Sequence, residues 1–197
     1  MHPGHEYFTS SANGTSWPQH LAEVGAQAGS IGIPTWWIDG NLGTDQAGNL
    51  YATWDTQTRH GDIGWLAYSP DHGKTWSAPI RVTPGQTTAM HDVEVVGAGP
   101  GIADVAWQSD SSPLGYATYL RPFSITKGWL APAIQVSRQY GNSTIWPGDT
   151  FGISILPAAS QNAPERISLT WGSAIKDHKT SEIYGAVVTL PRQFYTG

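Results

Sequence analysis

The sequence predicts an all-β fold of short strands joined by turns, and three observations carry that prediction. First, the 197 residues include 23 glycines, 14 prolines and 10 tryptophans, and only 13% are charged, which is about half the usual charged share. Second, no long stretch repeats apolar residues with helical periodicity, and the best helical candidate, PQHLAEVGAQAG, runs only from Pro18 to Gly29. Third, an alternating apolar segment that ends in tryptophan recurs along the chain.

The recurring tryptophans indicate an internal repeat. Three pairs of residues share one separation of 53 positions, namely Trp54 and Trp107, Trp76 and Trp129, and Asp39 and Asp92. A third copy of the tryptophan-terminated strand ends at Trp171. Because Trp54, Trp107 and Trp171 occupy the same strand position, we expect them to pack between sheets rather than to bind ligand.

Each repeat contains four strand-like segments. The first begins near residues 36–40, 90–96 or 146–156, and the second is the tryptophan-terminated segment at 49–55, 102–110 or 166–174. The third covers 62–69, 115–122 or 182–190, and the fourth follows a tryptophan at 76–82 and 129–136. Four strands in roughly 45 to 55 residues is the blade size of a β-propeller. The third repeat carries an insertion at 157–164.

The chain is therefore expected to be a single β-propeller domain, or a fragment of one, over residues 1–197. Residues 1–28 resemble the last two strands of a blade, with complete or nearly complete blades at 31–84, 88–138 and 145–192. About three and a quarter blades cannot close a ring, because propellers have about four to eight. We therefore expect one of two arrangements. The chain is either a partial propeller, as the C-terminal part of a longer one, or half of an oligomeric ring that a second copy closes.

The stretch SPDHGKTW, between a third and a fourth strand, has the pattern Ser-x-Asp-x-Gly-x-Thr-Trp. Asp71 can accept hydrogen bonds from nearby backbone N–H groups, Gly73 can adopt a positive φ, and Trp76 can bury its rings. The pattern resembles the Asp-box of the sialidase-like (BNR-repeat) β-propellers. The resemblance implies a structural role, away from the active site, for the five box residues Ser69, Asp71, Gly73, Thr75 and Trp76. A weaker copy, SSANGTSW, has Ala12 in place of the aspartate.

Members of that family are exo-glycosidases. The resemblance implies three arginines that grip a sugar carboxylate, a Tyr–Glu nucleophile pair and an aspartate acid/base. Of the six arginines, only Arg59 falls in a loop on the expected ligand face, and no arginine triad can be matched. We therefore expect a sialidase-like glycoside hydrolase, or the C-terminal part of one, that acts on extracellular glycans. A non-catalytic carbohydrate- or protein-binding propeller, or a purely structural interaction platform, is the alternative.

In a propeller, the loops that enter the first strand and those that join the second and third strands share one face, where ligands bind. Indole faces stack on a pyranose, and a pair of carboxylates can hydrolyse a glycosidic bond. The predicted catalytic residues are Asp39, Asp92, Glu94 and Asp149. The predicted substrate-binding residues are Trp36, Trp37, Arg59, His60, His91 and Trp146. The turns add Asp62, Gln108, Ser109, Asp110, Lys176, Asp177 and His178.

A structural reading of the aspartates stays open. Asp39, Asp92 and Asp149 recur at equivalent positions, so they can equally tie the start of each inner strand to backbone N–H groups. Glu94 has no counterpart, because Asn41 occupies the equivalent position, and it is therefore the better single candidate for function. No metal or other cofactor is expected, because the histidines lack ligand spacing and no EF-hand-like loop is present.

Charge and targeting signals limit the partners. A net charge of −5 without a basic run argues against nucleic acid and anionic membranes, and the absence of cysteine excludes disulfides and thiolate metal sites. No stretch of 18 apolar residues is present, and MHPGHEYF lacks the apolar region of a signal peptide. The expected partner is a glycan or small-molecule ligand on the propeller face, with a homodimer if a second copy closes the ring. Low charge and the family habit favour a secreted bacterial protein.

Overall fold

The computed structural model describes residues 4–18, 21–31, 40–83, 89–110, 114–156 and 164–195, and describes only the backbone of 27–31 and 89–91. These residues form three β-sheets and one short 3-10 turn at Arg192–Phe194, which confirms the all-β prediction. No helix in the described ranges is long and apolar enough to cross a membrane.

Sheet I contains six strands in the order β1-β2-β4-β5-β6, with β3 paired to β4. Strands β3 to β6 follow chain order and are antiparallel. The β1–β2 hairpin joins them through a short parallel pairing of Gly29–Ile31 with residues 56–58 of β4. The strands are β1 Gly4–Phe8, β2 Ala22–Ile31, β3 Gly40–Thr44, β4 Leu50–Thr58, β5 Gly61–Ser69 and β6 Ile80–Arg81.

Sheets II and III are antiparallel and also follow chain order. Sheet II comprises β7 Ala89–Gly97, β8 Ile102–Asp110, β9 Tyr116–Ser124, β10 Gly128–Trp129 and β11 Ile134–Gln135. The last two are short, and both pair with β9. Sheet III comprises β12 Phe151–Leu156, β13 Arg166–Ser173 and β14 Glu182–Thr189.

The observed strands agree best with the prediction in the middle of each repeat. Strands β4, β5, β8, β9, β13 and β14 coincide with the predicted second and third strands to within a few residues. The fourth strands are much shorter than expected, and the helical candidate after Pro18 forms strand β2 instead. That strand belongs to the hairpin on sheet I. Residues 36–39, the predicted start of the first repeat, lie outside the described residues.

The sheets pack face to face through residues that alternate along each strand. Between sheets I and II, Tyr51, Leu66, Val93 and Trp107 form one buried cluster with their neighbours. Residues of β8 that point the other way, such as Ala106, pack against sheet III. Strand β8 is therefore buried on both faces.

The tryptophans at the repeated strand position are core residues. Trp54, Trp107 and Trp171 are 1%, 2% and 4% exposed, which confirms the packing expected from their repeat. Trp54 lies on the outer face of sheet I, the face away from sheet II, where the β1–β2 hairpin covers it. Gly25 of β2 sits directly on the Trp54 ring, so that any side chain there would overlap the indole.

Candidate functional site

The strand ends at the β4–β5 turn carry buried polar residues. Asp55 and Gln57 are on β4, and Asp62 is the direct cross-strand neighbour of Gln57 on β5. Asp55 is fully buried and Asp62 is 7% exposed, and the Gln57 amide donates to Asp55 at 3.1 Å. The corresponding end of sheet II carries Asp110 on β8. We call this edge of the two sheets the turn end.

At the turn end, the negative charges of carboxylates from both sheets act on the Tyr116 phenol. Tyr116 is the direct cross-strand neighbour of Asp110. Burial of the phenol, together with the negative charges of Asp110 and then Asp62, raises the pKa of Tyr116 to about 12. The two carboxylates therefore act on one hydroxyl from different sheets. Asp62 lies far from Asp110 and Tyr116 in the sequence, and the fold brings it near them.

A bulge interrupts strand β7 at the predicted catalytic residue Asp92. His91 pairs with Gln108 and Glu94 with Ala106, so Asp92 and Val93 together oppose Trp107. Asp92 has a φ of 52°, in the left-handed region, which aspartate tolerates better than most residues. A bulge redirects the side chains beside it.

Because of the bulge, the two predicted acids of β7 do not share a face. Val93 packs between sheets I and II, whereas Ala106, the partner of Glu94, packs against sheet III. The bulge is also tied to β4, because the Thr53 hydroxyl donates to the Val93 carbonyl at 2.6 Å. Thr53 lies two residues before Asp55, so this bond joins the bulge to the strand that carries Asp55, whereas Glu94 lies on the sheet III side.

In sheet III, the predicted residues Trp146 and Asp149 contact each other. The Trp146 indole N–H donates to Asp149 at 3.0 Å, and the ring is 46% exposed. In the following turn, Asp177 accepts the backbone N–H groups of Lys179 and Thr180, which lowers its pKa. An exposed indole held by a carboxylate is a suitable surface for stacking a sugar ring.

The other predicted catalytic and substrate-binding residues divide into two groups. Arg59 and His60 are exposed in the β4–β5 turn. Trp36, Trp37 and Asp39 lie outside the described residues, as does the side chain of His91. Of the other arginines, Arg121 donates to the Ala131 carbonyl at 2.9 Å and is thus engaged away from the turn end.

Sequence reasoning missed Asp55 and Tyr116. One signal could have predicted the positions of both residues. Polar residues near the end of a second strand or at the start of a third strand lie at the same edge of the sheet as the connecting turn. The described residues contain no group of three or more His, Cys, Asp or Glu side chains that could hold a metal ion. The turn end brings together carboxylates and a phenol, which are groups that can transfer protons and form hydrogen bonds.

The SPDHGKTW stretch forms a hydrogen-bonded turn at the opposite end of sheet I. Asp71 accepts from the backbone and the hydroxyl of Thr75 at 2.9 and 2.6 Å and from the Ser69 hydroxyl at 2.8 Å. These bonds, that of the Thr75 hydroxyl first, lower the pKa of Asp71 to about 2. Gly73 has a φ of 85° and donates its N–H to Ser69 at 2.8 Å. Trp76 packs edge-on against Phe8.

The weaker copy SSANGTSW forms a similar turn with its residues shifted by one. Ser11 accepts the Gly14 N–H at 2.9 Å, as Ser69 accepts that of Gly73. The Asn13 side chain accepts the N–H groups of Thr15 and Ser16 at 3.0 and 2.9 Å. Asn13 thus replaces the aspartate that is missing at Ala12.

Comparison with known proteins identifies the fold. No family model and no curated protein matches the sequence. A crystal structure of a protein of unknown function from Dyadobacter fermentans superposes with a TM-score of 0.56 at 16% identity, over 92% of this chain and 44% of that one. A mutant of the NanB sialidase from Streptococcus pneumoniae superposes with a TM-score of 0.52 at 13% identity, over 100% of this chain and 29% of that one. The chain has a sialidase-like fold and spans less than half the length of either structure.

Proposed function

We propose that the chain is part of a sialidase-like β-propeller that binds and hydrolyses glycosides of extracellular glycans. Sheets I, II and III are then successive blades, and the turn end is the substrate face. The chain order of the strands within each sheet supports this arrangement, as does the likeness to a sialidase. The SPDHGKTW turn at the opposite end supports it as well.

The observation that carries the proposal is the effect of Asp62 and Asp110 on the Tyr116 phenol. Glycoside hydrolysis requires one carboxyl to protonate the leaving oxygen and a second to act as base or nucleophile. Asp62 and Asp110 come from different sheets, and the charges of both help to raise the pKa of the Tyr116 phenol, so a sugar bound beside this phenol would lie near both. Asp92 would add a third carboxylate from the bulge, and Trp146 with Asp149 would hold a neighbouring sugar ring.

A panel of chromogenic glycosides tests this function directly. We expect turnover in the full chain, and a loss of about 100-fold or more in Asp62→Asn and in Asp110→Asn with an unchanged circular dichroism spectrum. The matched control is Glu23→Gln. It replaces an exposed carboxylate with its amide in the hairpin that covers the outer face of sheet I, and it keeps full activity. Turnover that survives both turn-end changes would contradict the assignment of the site.

A second candidate function is glycan binding without catalysis, and one observation favours it. Asp62, Asp110 and Tyr116 are each 7% exposed, whereas the Trp146 indole is 46% exposed. A sugar reaches the indole more easily than the carboxylates. In that case a glycan array shows binding that Trp146→Ala abolishes, and no glycoside in the panel is hydrolysed.

A further inference from the structure

The SSANGTSW turn, between strands β1 and β2, contains the only Asn–Gly pair in the sequence, Asn13 and Gly14. Both residues are exposed. Gly14 has a φ of 71°, and nothing lies within 4 Å of the position that a Cβ would take there. Because glycine carries no side chain, its backbone nitrogen can be approached closely by the side chain of the preceding residue. We call this segment the Asn13 turn.

The backbone nitrogen that follows an asparagine can attack the side-chain amide of that asparagine. The nitrogen bonds to Cγ, a succinimide ring closes, and the amide nitrogen leaves as ammonia. Three kinds of group assist such a step: one that takes the proton from the nucleophile, donors that stabilise negative charge on the amide oxygen, and a donor beside the leaving nitrogen. The Asn13 turn supplies all three.

The Ser11 hydroxyl connects the nucleophile to the amide oxygen. It accepts the Gly14 N–H at 2.9 Å and donates its own proton to Asn13 Oδ1 at 3.1 Å. When the Gly14 nitrogen attacks, the hydroxyl can therefore take a proton from the nitrogen and pass its own proton to the oxygen. A hydroxyl, which both donates and accepts, makes this transfer without a net change in its own charge.

Two backbone N–H groups point at the same oxygen. Those of Thr15 and Ser16 donate to Asn13 Oδ1 at 3.0 and 2.9 Å. Donors at these distances stabilise the negative charge that develops on the oxygen when Cγ is attacked. On the other side of the amide, Asn13 Nδ2 donates to the Ser16 hydroxyl at 3.4 Å. That hydroxyl can rotate and give a proton to the nitrogen as it leaves.

We propose that the Asn13 turn is a self-modification site, at which the Gly14 nitrogen displaces ammonia from the Asn13 side chain. The bond from this nitrogen to Cγ forms, the Cγ–Nδ2 bond breaks, and the proton lost by Gly14 leaves with the ammonia. Water then opens the succinimide. Opening at Cγ gives aspartate at position 13, and opening at the backbone carbonyl gives isoaspartate. The reaction consumes water alone.

An aspartate at position 13 makes this turn more like the SPDHGKTW turn. There, the Asp71 carboxylate accepts the backbone N–H and the hydroxyl of Thr75. A carboxylate at position 13 accepts the same Thr15 and Ser16 N–H groups as the amide does, through the stronger bonds that a charged acceptor makes. The reaction thus supplies the acid that the weaker copy lacks, whereas isoaspartate lengthens the backbone of the turn.

Peptide mapping of the full chain tests the proposal. The chain is incubated at mildly alkaline pH, and timed samples are cleaved after glutamate, which releases residues 7–23. We expect mass spectrometry to show this peptide losing the mass of ammonia and then gaining that of water. Asn41, Asn49 and Asn142, none of which precedes glycine, remain intact as internal controls. The synthetic peptide of residues 7–23 gives the rate without the fold, and the folded chain reacts about tenfold or more faster.

Variants of Ser11 test the proton transfer. Ser11→Ala removes the hydroxyl between the nucleophile and the amide oxygen, so the folded chain reacts about tenfold or more slowly. The same change in the free peptide has little effect, because the peptide does not hold the turn. Ser11→Thr keeps a hydroxyl and retains most of the rate. Ser10→Ala, which removes a neighbouring exposed hydroxyl outside this set of hydrogen bonds, leaves the rate unchanged.

Two results would overturn the proposal. One is a folded chain that reacts no faster than the free peptide, which would show that the turn does not assist the attack. The other is an equal rate in the parent chain and in Ser11→Ala with matching circular dichroism spectra, which would remove the proton transfer. Since the readout is a mass change in one peptide, neither result depends on the hydrolysis of glycosides.

Discussion

The Tyr195 hydroxyl donates to both carboxylate oxygens of Asp104, at 3.2 and 3.1 Å. Asp104 is fully buried in β8 on the side of sheet III, and Tyr195 belongs to the C-terminal segment after β14. Burial raises the pKa of Asp104 to about 7, with a further upward contribution from the nearby Glu165 carboxylate and a downward one from the Tyr195 hydrogen bond. The contact joins the end of the chain to the middle sheet.

The first prediction concerns loss of this hydroxyl. Tyr195→Phe leaves the buried Asp104 charge without its donor, and a hydrogen bond to a charged group contributes about 1.5–3 kcal/mol. We expect the free energy of unfolding, measured with urea at pH 8, to fall by about that amount. The loss is smaller at pH 5, where Asp104 is neutral. Tyr140→Phe, which removes a hydroxyl bonded to the Gln135 side chain, is the control and changes stability less at both pH values.

The second prediction concerns the pH dependence of stability. The pKa of Asp104 is higher in the folded chain, so between about pH 4 and about pH 7 the folded state binds more protons than the unfolded state. Stability from this group is therefore complete below about pH 4 and declines as the pH rises to about 7. Glu165 has a raised pKa through burial and adds to the same trend.

Asp104→Asn tests that trend, because the amide does not titrate. We expect the decline in unfolding free energy between pH 4 and pH 7 to become shallower in the variant, as measured by urea titrations across that range. A variant whose stability falls as steeply as that of the parent chain would show that Asp104 titrates normally.

The middle strands of each repeat could be predicted because their signals are local. Alternation of apolar residues and a terminal tryptophan define β4, β8 and β13, and the burial of Trp54, Trp107 and Trp171 follows from their common position. The polar residues Asp62 and Asp110 could also be placed near a turn from the strand boundaries alone. These features depend on contacts between residues that are close in the sequence.

The rest depends on contacts between distant residues. The parallel pairing of β2 with β4 has no sequence signature, and neither does the bond between Tyr195 and Asp104, which lie 91 positions apart. The bulge at Asp92 required a non-glycine residue in the left-handed region, which periodicity does not reveal. Tyr116 was missed because part of the rise in its pKa comes from the charge of Asp62, which lies in another sheet.

The third prediction concerns the SPDHGKTW turn. Ser69 is fully buried, and its hydroxyl both accepts the Gly73 N–H and donates to Asp71. Ser69→Ala leaves that buried N–H without a partner, so we expect a loss of about 1–3 kcal/mol in unfolding free energy from urea titration. Ser10→Ala changes the exposed residue that aligns with Ser69 in the weaker copy, where Ser11 and not Ser10 accepts the glycine N–H, and it is nearly neutral. Equal effects of the two changes would contradict the structural role of the turn.

A fourth prediction concerns Gly73 in the same turn. Its positive φ disfavours any side chain, and a Cβ there would overlap the Phe8 ring of β1. Gly73→Ala therefore strains the turn and displaces β1, and we expect a lower melting temperature together with faster hydrogen exchange in β1. Gly128 also has a positive φ, but nothing lies within 4 Å of the position that its Cβ would take. Gly128→Ala thus separates backbone strain from displacement of β1, and it lowers the melting temperature without changing exchange in β1.

The last prediction tests the electrostatic relationship on which the candidate site depends. The pKa of Tyr116 is raised to about 12, by burial first and then by the charges of Asp110 and Asp62. Replacing either carboxylate with its amide removes a negative charge that opposes ionisation of the phenol, so the pKa falls in Asp110→Asn and, by less, in Asp62→Asn. NMR titration of tyrosine carbons labelled with carbon-13 measures the shift, and Tyr116→Phe assigns the signal. Glu23→Gln leaves it in place. If Asp62→Asn has no effect while Asp110→Asn does, Tyr116 responds only to its own sheet, and the proposed meeting of two carboxylates at one substrate would have no physical basis.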